Sequence, residues 1–138
     1  MRPTYQTQAD SDNEDAIAQR FATAWGCDFV SMPQFFPVDT LFVQNGSPKA
    51  WGEIKRLHRT LSVWKSTRLD LKKVAVVQTM ANVTGLPFLF CVQYNDCYAW
   101  TKIEGQYEVT TGGRTDRGDK HDIVVSVKIP LDKWKILK

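Results

Sequence analysis

Three side chains in the first half of the chain, Asp39, Glu53 and Lys55, are of the types that together do hydrolytic chemistry. Side chains alternate faces along a strand, so Glu53 and Lys55 project on the same side if Ala50 to Leu57 is a regular strand. With a loop centred on Gly46, residues whose numbers sum to 92 pair, and Asp39 falls opposite Glu53 with Cβ atoms roughly 4.5–5.5 Å apart. Two facing carboxylates repel unless something neutralises them, and a divalent cation bound by both is an economical solution. Lys55, one step along the same face, could orient or deprotonate an attacking water, or stabilise charge growing on a phosphate. Together these parts describe metal-assisted phosphodiester hydrolysis.

The arrangement depends on register. A strict two-residue turn at Asn45-Gly46 makes pairs sum to 91 and sends Asp39 and Glu53 to opposite faces. Pro48 has no N–H for a ladder bond, which favours a wider loop and the convergent alternative.

The elements that would position these residues follow from periodicity. Residues 1–10 read as a flexible polar arm, and residues 11–138 as a single domain. Ser11 with Glu14 forms a capping box, and Ile17, Ala18, Phe21, Ala24 and Trp25 then recur at helical spacing up to Gly26. Cys27 to Val30 and Phe35 to Val43 have the composition of strands, and residues 36–57 form a β-hairpin around Asn45-Gly46. Residues 66–82, with Leu69, Val74, Val77 and Met80 or Ala81, suit a second amphipathic helix ending near Gly85. Strands follow at Pro87 to Tyr94 and Tyr98 to Ile103, then at Tyr107 to Thr111 and Asp122 to Ile129. The expected fold is α/β (α+β), a central mixed β-sheet with flanking helices in the order α-β-β-β-α-β-β plus a C-terminal hairpin.

Composition narrows the class. A chain of 138 residues suits one core that buries about two thirds of the unfolded surface. A net charge of +3 and a pI of about 8.8 permit a polyanionic partner without requiring one. Cys27, Cys91 and Cys97 lack a CxxC spacing, which argues against a disulfide framework or zinc site and for packing roles in a reducing, cytoplasmic setting. Trp25, Trp51, Trp64, Trp100 and Trp134 are expected in the core. Neither a secretory leader nor a membrane span is expected, and the absence of a glycine-rich phosphate loop, HExxH or GxSxG motif points to no organic cofactor.

Pro37-Val38-Asp39, the Asn45-Gly46 turn and Glu53-Ile54-Lys55 together resemble the PD-(D/E)xK, restriction-endonuclease-like nuclease superfamily. The resemblance covers about residues 11–94, and the hairpin layout is similar to that of small phage endonucleases and Holliday-junction resolvases. Val38, between Pro37 and Asp39, is a departure from the motif. The resemblance implies a metal-dependent DNA endonuclease using Mg2+ or Mn2+ on branched or other structured DNA in replication, recombination or repair, located in the host cytoplasm if phage-encoded. It implies Asp39, Glu53 and Glu14 as metal ligands and Lys55 beside them, and many relatives pair two sites through a homodimer. The alternative is a non-catalytic nucleic-acid-binding or structural subunit that keeps the fold. Glu14 is equally explained as half of the capping box.

Basic residues flank the motif. Lys55, Arg56, His58 and Arg59 read as DNA-backbone contacts beside an acidic pair, or as a solvated sheet edge. Lys65, Arg68, Lys72 and Lys73 form a phosphate-tracking patch on the second helix, or simply its solvated face. Arg114, Arg117, Lys120 and His121 form a loop whose attraction for DNA is blunted by Asp116, Asp119 and Asp122.

Overall fold

The computed structural model describes residues 8–113 and 123–138. In chain order, the elements are α1 (Gln8–Trp25), β1 (Asp28–Ser31), β2 (Thr40–Gln44), β3 (Ser47–Arg56), β4 (Ser66–Asp70), α2 (Leu71–Thr84), β5 (Phe88–Gln93), β6 (Tyr98–Lys102), β7 (Glu108–Gly113), β8 (Ile123–Pro130) and β9 (Lys135–Ile136). Six strands form a mixed sheet in the order β1-β2-β3-β5-β6-β9, and three form a second sheet in the order β4-β8-β7. Among the described residues, only β3 and β5 pair in parallel. A parallel pair needs a long crossover, and here β4 and α2 supply it.

Helix α1 starts before the expected position, so Ser11 lies inside the helix rather than at its N-cap. Its buried stripe is Ile17, Ala18, Phe21 and Ala22, with Ala22 taking the place expected of Ala24. Gly26 ends it with φ +66°. The Cys27 N–H donates to Ala22 O at 2.9 Å and the Gly26 N–H to Thr23 O at 3.3 Å, the paired bonds of a Schellman cap.

Residues 66–70 are a strand, where a helix over 66–82 was expected. Thr67 and Leu69 are buried while Arg68 is exposed, a period of two that lets this stretch pair with β8. Asp70 then caps α2, its carboxylate accepting from the Lys72 N–H at 2.9 Å. The helix ends at Gly85 as expected, with φ +73°. The strand expected over 35–43 shortens to Thr40–Gln44. A turn precedes it, with the Phe36 N–H donating to Pro33 O.

Each face of the large sheet has its own core. Helix α1 packs Ile17, Ala18, Phe21 and Ala22 against Phe42, Ala50, Ile54 and Cys91. On the other face, Val74 and Val77 of α2, with Leu69, Val127 and Ile129 of the small sheet, cover Trp51, Phe88, Phe90 and Val92. Full burial of each such side chain stabilises the fold by about 1.5–3 kcal/mol. Trp51 and Trp134 are buried as expected, but Trp64 is 63% exposed. Arg114, Arg117, Lys120 and His121 lie outside the described residues. Among the described residues, no helix is long and apolar enough to cross a membrane.

Candidate active site

The β2–β3 hairpin contains both of the registers the sequence allows. Next to the turn, Gln44 pairs with Ser47 and Val43 with Pro48; beyond it, Phe42 pairs with Ala50, Leu41 with Trp51 and Thr40 with Gly52. Asn45 and Gly46, at φ +52° and +75°, make the tight two-residue turn that Pro48 was expected to prevent. Lys49 is the extra residue of a β-bulge, and it moves the ladder by one position. Asp39, one residue before Thr40, therefore lies across from Glu53.

Two details tighten the strands at this point. Asp39 Oδ2 accepts a hydrogen bond from the Ile54 N–H at 2.9 Å. A Cβ on Gly52 would lie 2.7 Å from Thr40 Cγ2 and 2.8 Å from Phe42 Cε2, so only glycine lets β2 approach this closely.

Glu53 lies on the α2 face of β3, where its ladder neighbour on β5 is the buried Phe90. Its side chain is only 15% exposed, and Lys73 of α2 brings its ammonium to 3.3 Å from Oε2. That separation makes an ion pair, but Oε2 has no hydrogen-bond partner and remains a buried acceptor. The same ammonium donates to Pro37 O at 2.7 Å. Burial first and the Asp39 charge second push the Glu53 carboxyl up to about 8, while Lys73 pulls it the other way. A carboxyl hydrogen-bonded to Asp39 favours the protonated form as well.

The donor set fits a hard divalent cation: oxygen ligands from two chain segments, one of them buried without a donor. Among the described residues, no three His, Cys, Asp or Glu side chains are gathered as a closed metal cage requires. Glu14 is on α1, which packs against the opposite face of the sheet, and it does not join Asp39 and Glu53 in such a group. Its reading as a capping-box residue falls with the longer helix.

Lys55 shares the Glu53 face by strand alternation and is exposed. Arg56 and Arg59, next in sequence, are engaged within the fold. Arg56 donates to Leu57 O, to Gln93 O at 3.1 Å and to Asn95 Oδ1 at 2.8 Å. Arg59 donates to Thr60 O, Leu61 O and Thr67 Oγ1, and its guanidinium stacks on Tyr94 at 5.2 Å. His58, Lys65, Arg68 and Lys72 are exposed, but they do not share one helix: Arg68 is on β4 and Lys65 precedes it. Lys73, expected as a phosphate contact, turns instead into the acidic pair. Its position was hidden in sequence because it depends on how α2 docks. Cys91 is fully buried, which pushes its thiol up and leaves it a packing group.

No curated protein matches the chain in sequence. Among solved structures, the fold is similar to that of Hjc from Archaeoglobus fulgidus, a Holliday junction resolvase from an archaeal hyperthermophile. The TM-score is 0.54 at 11% identity, over 86% of this chain and 84% of that one. The likeness places the chain in the resolvase-like, restriction-endonuclease-like fold. The profile of a family described as "Phage putative PDDEXK endonuclease" matches residues 1–137. With nearly the whole chain matched, this protein belongs to that phage PDDEXK endonuclease family.

Proposed function

We propose that the protein is a divalent-metal-dependent endonuclease that hydrolyses phosphodiester bonds in DNA, with branched or other structured DNA as its substrate. The observation that carries this reading is the bulge-set register that brings Asp39 and the buried Glu53 together. Family membership and the resolvase-like fold support the substrate class.

Asp39 and Glu53 would hold Mg2+ or Mn2+. When bound, the ion supplies Lewis-acid polarisation of the phosphate and an acidified water. The Ile54 amide fixes one oxygen of Asp39, so that carboxylate is oriented before any ligand arrives. Lys55, exposed on the same strand face, is placed to orient the attacking water or to balance charge on the phosphate. Exposed Lys65, Arg68, Lys72 and His58 are the DNA-backbone contacts of this reading. A homodimer would let two sites cut both strands.

The test is cleavage of branched, single-stranded and duplex DNA with Mg2+ or Mn2+ by wild type, Asp39→Ala and Lys55→Ala. Loss of cleavage in both variants is expected, and unchanged activity in both overturns the assignment. Titration with Mn2+ in a calorimeter separates this reading from a non-catalytic subunit, since binding that Glu53→Ala abolishes is expected only of a working metal site.

A further inference from the structure

The segment between β1 and β2 is pinned in three places. The Met32 N–H donates to Asp39 O at 2.9 Å, the Phe36 N–H donates to Pro33 O at 2.8 Å, and Lys73 holds Pro37 O. Val38 is buried, yet Phe35 is 76% exposed and Phe36 39% exposed, the latter with its ring 6.1 Å from that of Trp51. A backbone anchored on both sides thus presents two adjacent aromatic rings at its tip.

Phe36 is three positions before Asp39, so the chain places its backbone within roughly 10 Å of Asp39. Successive nucleotides of one strand rise by about 3.4 Å. A ring at that range reaches a base within about three nucleotides of a phosphate held at Asp39 and Glu53. The alternative occupant, a protein surface, is disfavoured by size. Two phenylalanines bury about 500 Å² at most, whereas a standard interface takes about 800 Å² per partner.

Resting on the endonuclease reading, we propose that Phe35 and Phe36 are an aromatic platform that stacks on an unpaired base beside the scissile phosphate. In a continuous duplex the base faces are already covered by their neighbours. The platform therefore gains nothing from blunt duplex and favours DNA that presents an open base, at a fork, flap, junction or single strand.

The experiment uses the full chain in EDTA, with a splayed fork carrying 2-aminopurine at its unpaired position and a blunt duplex of equal length. Wild type is expected to prefer the fork and to change the 2-aminopurine fluorescence. Phe35→Ala is expected to lose about tenfold in fork affinity, to stay within about twofold on duplex and to lose the fluorescence change, with Phe35→Trp restoring all three. Equal losses on fork and duplex, or no loss, overturn the platform. A change of oligomeric state in Phe35→Ala, seen by sedimentation with fork preference intact, overturns it in favour of a protein contact. Failure of wild type to bind any DNA sinks the endonuclease reading and the platform together, a result distinct from binding without selectivity.

Discussion

Lys73 Nζ lies 3.3 Å from Glu53 Oε2 and also donates to Pro37 O, so one ammonium from α2 joins the two strand segments that carry the acidic pair. Lys73→Met is expected to lower the stability of the metal-free protein by about 1–3 kcal/mol, because it removes a bond to a carbonyl and leaves a buried carboxyl with less compensation. The same change removes a competing cation, so Mn2+ binding is expected to tighten. Urea denaturation in EDTA and calorimetric titration check the two effects; weaker Mn2+ binding would instead make Lys73 a helper of the metal site.

Glu53 predicts a pH dependence. Its carboxyl is raised from the ordinary 4.5 to about 8, so the folded state holds a proton that the unfolded state releases as pH rises past 4.5. Its contribution to stability is full below pH 4.5 and is lost as pH rises towards 8, a drop on the order of a few kcal/mol. Glu53→Gln should flatten this slope in denaturation of the metal-free protein. Metal must displace the same proton, so Mn2+ affinity should rise with pH by up to about tenfold per unit below 8.

Gly52→Ala tests the close approach of β2 and β3. The new methyl meets Thr40 Cγ2 and the Phe42 ring at under 3 Å, so one strand must shift, at a cost of about 1–3 kcal/mol. Because the shift falls next to Asp39 and Glu53, Mn2+ affinity should fall along with the melting temperature. Retained affinity in a destabilised variant would show that the pair tolerates strand separation.

Arg59 and Lys72 should behave oppositely. Arg59→Ala breaks bonds to Thr60, Leu61 and Thr67 and the stack on Tyr94, so a stability loss of about 2–3 kcal/mol is expected. The salt dependence of DNA binding should not change. Lys72→Ala, at an exposed helix position, should leave stability unchanged but reduce the salt slope by about one. Anisotropy across a salt series and thermal melts measure both, and a reduced slope for Arg59→Ala would make it a DNA contact after all.

The amino-acid sequence by itself determined the local and periodic features. The α1 stripe, the glycine stops at Gly26 and Gly85 and the hairpin at Asn45-Gly46 are legible because each depends on residues a few positions apart. What sequence left open was the register: a tight turn and a convergent pair are incompatible in a regular ladder, and the tertiary structure reconciles them with one bulged residue, Lys49. Residues 66–70 misled because their apolar positions suit both periods until β8 pairs with them. Lys73 reads as one more surface lysine until α2 docks on the sheet and points it at Glu53. Burial of Glu53 likewise arises only when α2 and the small sheet cover that face, and desolvation by distant segments has no signature in the residues beside it.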